Sequence, residues 1–431
     1  MTNESLKASL GRSFPRDSRL RARAAAVIPG GMWGHQRAAA VPAGYPQFFS
    51  SGQGARIHDA DGNAYIDFMC GWGPVVLGHG HAGVEAAAEA QAAKGRCLSG
   101  PTECAVELAE LLVETLPHAD WSLFQKNGAD ATTTCVTLAR AATRRRKILV
   151  ARGAYHGAVP WCSPSLAGVT AEDRAHVLHY DFNDLDSLDR AVAAAGEDLA
   201  AILVSAFRHD LARTQDQPTA DFAAAARGHC DAAGAALILD DVRAGFRVHL
   251  GGSWEPLGVR PDLSAFSKAI ANGHPLAAVT GRDWLREAAA EIFVTGSFWY
   301  AGPPMAAACA TIRELQRLDG PARLRESGLR LREGLAEQAL RHGFAIEQSG
   351  PPAMPMLLFA DDPERELGAA FCREALKRGL YMHNRHNMFL STAHSLAVID
   401  EALAASDEAF AALARERQAD ARRPALSRRS G

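Results

Sequence analysis

The chain has 431 residues, too many for one small core, and suits a large domain with a smaller partner or two to three domains. Hydrophobic residues make up 48% and charged residues 22%, an ordinary globular balance that argues against a fibrous or low-complexity chain. A formal net charge of -3 gives no reason to expect nucleic acid or an anionic membrane surface as partner.

The N-terminus becomes charged at once, without a signal pattern, and residues 20–27 have helical spacing before Pro29-Gly30-Gly31 stops them. The alternating stretch ARIHDADGNAYIDF (55–68), with Asp-Gly-Asn at its centre, predicts a β-hairpin. Helical spacing follows at 83–94 and 104–116. From residue 121 the texture changes to short apolar runs separated by helical stretches. These are WSLF (121–124), a helix over 129–142, KILVA (147–151), AAILVSA (200–206), a helix over 220–233 and AALILDDV (235–242). Nearly all-apolar strands alternating with helices predict an α/β fold with a mostly parallel sheet covered on both faces. Helices over 304–318, 322–342, 366–378 and 397–417, with strand-like PMLLF (355–359) and LYMH (380–383), predict a smaller α/β domain. The basic end, 415–431, reads as a solvated tail.

Some features point elsewhere. Gly78-His79-Gly80-His81-Ala82-Gly83 matches the dinucleotide fingerprint, but Glu103, 20 residues on, opens a helix instead of ending a second strand. The 16 histidines include no H-E-x-x-H, and His383 and His386 fit packing or substrate contact better than metal, so no metal site is expected. Arg144-Arg145-Arg146-Lys147 follows a helix, where cations suit the dipole, and reads as solvated. The eight cysteines form no C-x-x-C pair, and no run of 18 apolar residues exists. Both point to a cytoplasmic protein without a disulfide framework or a membrane span.

Four segments carry chemistry. In SAFSKAIANGHPLAAV (264–279), Lys268 lies between an apolar run and a small-residue stretch; desolvation there would make it a Schiff-base nucleophile, although alone it also fits a solvated loop lysine. In ALILDDVRAGFRV (236–248), Asp240 ends an apolar strand, where ligands bind in open α/β sheets; a metal pair with Asp241 is disfavoured because consecutive strand residues face opposite ways. In FQKNGADATTTCVTLARAAT (124–143), Asn127-Gly128 turns a strand into a helix whose first N–H groups, at Gly128 and Ala129, suit a phosphate; Thr132 could add a hydroxyl. In ARGAYHGAV (151–159), Tyr155 and His156 follow a strand, and an aromatic there either stacks on a planar ring or packs. An anion site, an aromatic plate, a carboxylate and an amine at the C-terminal ends of strand-like segments are what pyridoxal 5′-phosphate (PLP) requires.

The sequence resembles the class III aminotransferases of PLP fold type I, in the branch containing glutamate-1-semialdehyde aminomutase. The resemblance rests on IPGG (28–31), DADGNAYIDF (59–68), GWGPVVLGHGH (71–81), NGADAT (127–132), YHG (155–157), DDVRAGFRV (240–248), PDLSAFSKAIANGHPLAAVTGR (261–282) and FLSTAH (389–394), with Asp240 and Lys268 28 positions apart. It implies a large PLP-binding domain over 61–309. A small domain would be built from both chain ends, 1–60 and 310–431. It further implies that Lys268 holds the cofactor and moves a proton, and that Asp240 pairs with the pyridine nitrogen. Val242 and Tyr155 would flank the ring, with His156 beside it, while Gly128 and Ala129 bind the phosphate. Ser297, in TGSFWYAGPP (295–304), best matches the residue that reaches the neighbouring subunit's phosphate, which implies a homodimer with shared active sites.

Three departures stand out. The Glu-Pro pair expected after the strand at 201–205 is replaced by Ser205-Ala206-Phe207-Arg208-His209, the phosphate loop loses a hydroxyl at Ala129, and GGMWGHQR (30–37) replaces the aminomutase entrance. MWGHQ, FRHDL, DDVRAGFRV, TGSFWY and HNMFLSTAH together are similar to aminotransferases that deaminate hydrolysed fumonisin, a long-chain amino polyol. The expected activity is therefore transfer of an amino group from a bulky amine to a keto acid such as pyruvate. Trp33, Trp72, Phe298 and Trp299 are candidates for an aromatic substrate pocket or for packing, and Arg208 for the keto-acid carboxylate or for a surface role. The alternatives are an aminomutase of the glutamate-1-semialdehyde type and a non-catalytic PLP-fold binding protein.

Overall fold

The computed structural model describes residues 13–209 and 212–422. The described chain divides into two compact units, one within residues 1–70, 211–214 and 326–431, the other within 71–210 and 215–325.

The first unit opens with helix α1 (Pro15–Val27), which starts on a proline whose missing N–H costs nothing there. The buried Asp17 carboxylate accepts hydrogen bonds from Gln47 N and Phe48 N, both at 2.8 Å, and so ties α1 to the chain entering the first strand. Strands β1 (Phe49–Gln53), β2 (Arg56–Asp59) and β3 (Ala64–Asp67) are antiparallel neighbours. The predicted hairpin is β2–β3. Its turn is held by Asp59, whose Oδ1 accepts from Asp61 N and Asn63 N at 2.9 Å and whose Oδ2 accepts from Tyr65 OH at 2.8 Å.

The second unit runs through α2 (Ala82–Lys94), α3 (Glu103–Thr115), β4 (Trp121–Gln125), α4 (Gly128–Thr143), β5 (Lys147–Ala151), β6 (Val177–Tyr180), α5 (Leu185–Ala195), β7 (Leu199–Ser205), α6 (Ala220–Ala233), β8 (Ala236–Asp240), β9 (Leu263–Phe266), β10 (Ala277–Gly281), α7 (Arg286–Glu291) and α8 (Gly302–Leu318). Seven strands form one sheet in the order β4-β10-β9-β8-β7-β5-β6, and β10 alone is antiparallel to its neighbours. Every residue of β7 and β8 is buried, which explains their unbroken apolar runs. Helix α6 starts on Thr219, whose Oγ1 accepts from Phe222 N at 3.1 Å. Of the basic run expected to be solvated, Arg144 and Arg146 are exposed, whereas Arg145 and Lys147 act as a clamp. Arg145 Nη1 donates to Leu199 O at 3.1 Å, and Lys147 Nζ donates to Ala194 O and Ala195 O, the last carbonyls of α5, at 3.1 Å.

Helix α9 (Gly320–Arg341) leads back to the first unit. There β11 (Ile346–Ser349) and β12 (Met356–Phe359) form an antiparallel pair, followed by α10 (Glu366–Lys377), β13 (Leu380–Tyr381) and α11 (Leu396–Arg422). β13 pairs in parallel with β3, so segments from both chain ends share one sheet, β1-β2-β3-β13. Phe371 and Phe410, with ring centroids 4.4 Å apart, join α10 to α11. The stretch read as a tail is helical as far as Arg422; residues 423–431 lie outside the described residues.

Candidate active site at the strand ends

Strands β4, β5, β7, β8 and β9 each deliver a turn to one cavity of about 480 Å³, wholly within the second unit. Its position at the C-terminal ends of parallel strands is where open α/β sheets bind ligands.

After β4, Lys126 and Asn127 turn the chain into α4. The Asp130 carboxylate accepts from Asn127 N at 3.0 Å and from Asn127 Nδ2 at 3.2 Å, which pins the turn. A side chain at Gly128 would come within 2.7 Å of Val242 Cγ1, so only glycine lets the helix start approach the residue after β8 so closely. Thr132 Oγ1 donates to His156 O at 2.7 Å, which commits the hydroxyl proton suggested from sequence as a phosphate donor.

β8 ends on Asp240, only 8% exposed. Its Oδ2 lies 2.6 Å from His156 Nδ1, and its Oδ1 accepts from Val242 N at 3.1 Å. Asp241 is held apart: its Oδ2 accepts from Ser253 N at 2.8 Å, and burial raises its carboxyl to about 7. The two carboxylates therefore serve different partners, as strand alternation predicted. Tyr155, 49% exposed, and Val242 also line the cavity.

Lys268 follows β9 at the first position of a 3-10 turn, Lys268–Ala271, with a left-handed backbone (φ 45°). A β-unbranched but bulky residue there carries strain, and such outliers gather at functional sites. Lys268 is half-buried at the cavity wall. Desolvation, reinforced by the Arg243 and Arg247 guanidinium groups and opposed by Asp240, holds its ammonium well below the usual lysine range. Asn272 (φ 44°) closes the turn. Its Oδ1 accepts from Val76 N at 2.9 Å and Leu77 N at 2.8 Å, while its Nδ2 donates to Gly78 O at 2.9 Å. The G-x-G-x-x-G segment is thus bound to the lysine turn and is entered from turns, not from a strand. Asn272→Ala would strand three buried backbone groups and is expected to cost about 3 kcal/mol or more, read from chemical denaturation.

Nine residues singled out from sequence meet at this cavity: Asn127, Gly128, Ala129, Thr132, Tyr155, His156, Asp240, Val242 and Lys268. Trp72, Arg208, Ser297, Phe298 and Trp299 are not among its lining residues. Arg208 is bridged to Asp216 by both backbone hydrogen bonds, and its Nη1 lies 3.5 Å from Asp216 Oδ2. Trp33 belongs to the first unit and is 72% exposed. Sequence reading did not single out Lys126, His209 or Arg243, which also line the cavity. His209 adjoins Arg208, and one step of extended chain turns the next side chain the other way. Burial lowers Arg243 to about 10, against Asp240 and Tyr155, and holds the His209 imidazole well below its ordinary range, helped by Arg243 and Lys268.

The residues present fit PLP. The helix start is a cradle that a Cβ at Gly128 would fill, Lys126 Nζ is buried without a hydrogen-bond partner among the described residues, and a carboxylate and an amine share one cavity. An aminopentol aminotransferase of Sphingopyxis macrogoltabida is 49% identical over 401 residues, 93% of this chain and 95% of the relative. A glutamate-1-semialdehyde 2,1-aminomutase of Roseiflexus castenholzii is 34% identical, over 92% and 97% of the two chains. The solved FumI protein of Sphingopyxis sp. MTA144, in its PLP internal aldimine form, superposes with a TM-score of 0.93 at 48% identity, over 94% of this chain and 98% of that one. The family model for class-III aminotransferases matches residues 39–413, and the chain belongs to that family of PLP-dependent enzymes.

Proposed function

We propose that this transaminase takes its amino group from a bulky, hydroxyl-bearing long-chain amine and passes it to a keto acid such as pyruvate. The carrying observation is the 49% identity with an aminopentol aminotransferase across 93% of the chain. The cavity agrees: Asp240 is the one carboxylate among its described lining residues, and His209 and Tyr155 offer polar groups to a substrate's hydroxyls.

PLP, when bound, supplies an electron sink for a carbon that loses its proton. Everything else falls to the chain. Gly128 N and Ala129 N, at the positive end of α4, hold the phosphate. Asp240 keeps a proton on the ring nitrogen and is itself oriented by His156 Nδ1 and Val242 N. Val242 and Tyr155, both in the cavity lining, would flank the ring. Lys268 Nζ, whose protonation burial disfavours, accepts the proton from the substrate carbon and returns it. Arg243 is our assignment for the acceptor carboxylate in place of Arg208, because it lines the cavity and Arg208 does not.

We place the large domain at 61–309 and the small domain at 1–60 with 310–431, supported by the two compact units. A homodimer with shared sites is supported by Ser297 lying outside its own chain's cavity, and by Phe293 (92% exposed), Phe298 and Tyr300 around it. A cytoplasmic location is supported by eight free cysteines. Among the described residues no helix is long and apolar enough to cross a membrane.

Incubation with an amino polyol and pyruvate is expected to release ketone and alanine in equal amounts. Amino transfer within one molecule without alanine would favour the aminomutase, and turnover of small amines alone would remove the substrate assignment.

A further inference from the structure

The start of α4 is short of donors for a phosphate dianion. Both Asn127 donors go to Asp130, the Thr132 proton goes to His156 O, and Ala129 brings no hydroxyl. The N–H groups of Gly128 and Ala129 remain, beside the Asp130 carboxylate. One residue earlier in the chain, Lys126 lines the same cavity. Its Nζ is buried and has no hydrogen-bond partner among the described residues. An ammonium left in that state is costly unless an anion joins it.

We propose that Lys126 is a cofactor-binding residue whose ammonium donates to the phosphate of PLP, replacing the hydroxyl lost at Ala129. This rests on the reading that the phosphate sits at the Asn127–Ala129 turn. Burial lowers Lys126 to about 8, with Cys97 acting in the opposite sense, and a neighbouring dianion would restore the charge. A charge-assisted bond is worth more than the neutral hydroxyl contact it replaces.

The test compares binding of PLP and of pyridoxal, which lacks the phosphate, to the full chain stripped of cofactor. Both ligands react with Lys268, so the ratio of their dissociation constants isolates the phosphate. Lys126→Met is expected to reduce the preference for PLP at least tenfold with pyridoxal binding unchanged, and Lys126→Arg to keep most of it. Ala129→Pro is the companion variant. Proline at the second helical position removes one N–H that makes no helix bond, and the preceding glycine tolerates it. If Ala129→Pro lowers the preference and Lys126→Met does not, the phosphate site stands and the role of Lys126 is overturned. If neither variant moves it, the phosphate placement falls as well. A fall for Lys126→Met alone supports the lysine as the phosphate donor, with the Ala129 N–H contributing little beside it. Equal weakening of both ligands by Lys126→Met would mark a structural residue and overturn the proposal.

Discussion

Lys268→Ala is expected to end multiple turnover and to lower kcat by about 10⁴-fold or more. Two functions are lost with one atom: the amine that holds the cofactor and the base that moves the proton. No neighbour can replace it. His209 also lines the cavity, but its imidazole cannot form the same link to the cofactor. Arg243 remains protonated at neutral pH even with its lowered value of about 10. Lys126 is the other amine at the cavity, but it adjoins the helix start, on the turn after β4, whereas Lys268 follows β9. The fold should survive, because alanine relieves the burial of an amine and the Asn272 bonds are untouched. Steady-state alanine formation, with the thermal midpoint as control, checks this. Turnover within tenfold of the unmodified enzyme would reject the assignment.

Asp240→Asn has the second largest expected effect, a loss of about 10²–10³-fold in kcat. The amide is nearly isosteric and can still accept from Val242 N, so packing is preserved. What disappears is the negative charge that keeps a proton on the ring nitrogen. The partner of Oδ2 at 2.6 Å, His156, would then face an amide, and the alignment of the pair would loosen. A cofactor methylated at the ring nitrogen carries that positive charge permanently. It should recover a large part of the lost activity in Asp240→Asn and none in Lys268→Ala. No recovery would mean that Asp240 acts through structure and not through the ring.

Residues with a strong physical signature were legible in the chain. β5, β7 and β8 are buried on both faces and therefore read as unbroken apolar runs, and the hairpin was marked by Asp-Gly-Asn. Asp240 and Gly128 sit at strand ends where the pattern breaks. β6 and α5 were not foreseen: VLHY is a half-covered edge strand, and LDSLDRAVAAA follows an irregular stretch. Within the basic run at 144–147, Arg145 and Lys147 were misjudged because their acceptors, the carbonyls near 194–199 and 233, are distant in sequence. Lys126 and Arg243 were quoted within the motifs yet passed over, because a cation beside a turn has no periodicity and its burial depends on other strands. His209 was hidden by Arg208, since only the bridge to Asp216 decides which of the two faces the cavity. Asn272 looked like a loop residue; its role depends on backbone groups nearly 200 positions away.

The most direct measurement traps the link between cofactor and protein. The chain has six lysines: Lys7, Lys94, Lys126, Lys147, Lys268 and Lys377. Borohydride reduction of the loaded enzyme, followed by digestion and mass mapping, should place the phosphopyridoxyl mass on the peptide containing Lys268, at close to one per chain. A label on Lys126, the other lysine lining the cavity, or one spread over exposed lysines, would contradict the account.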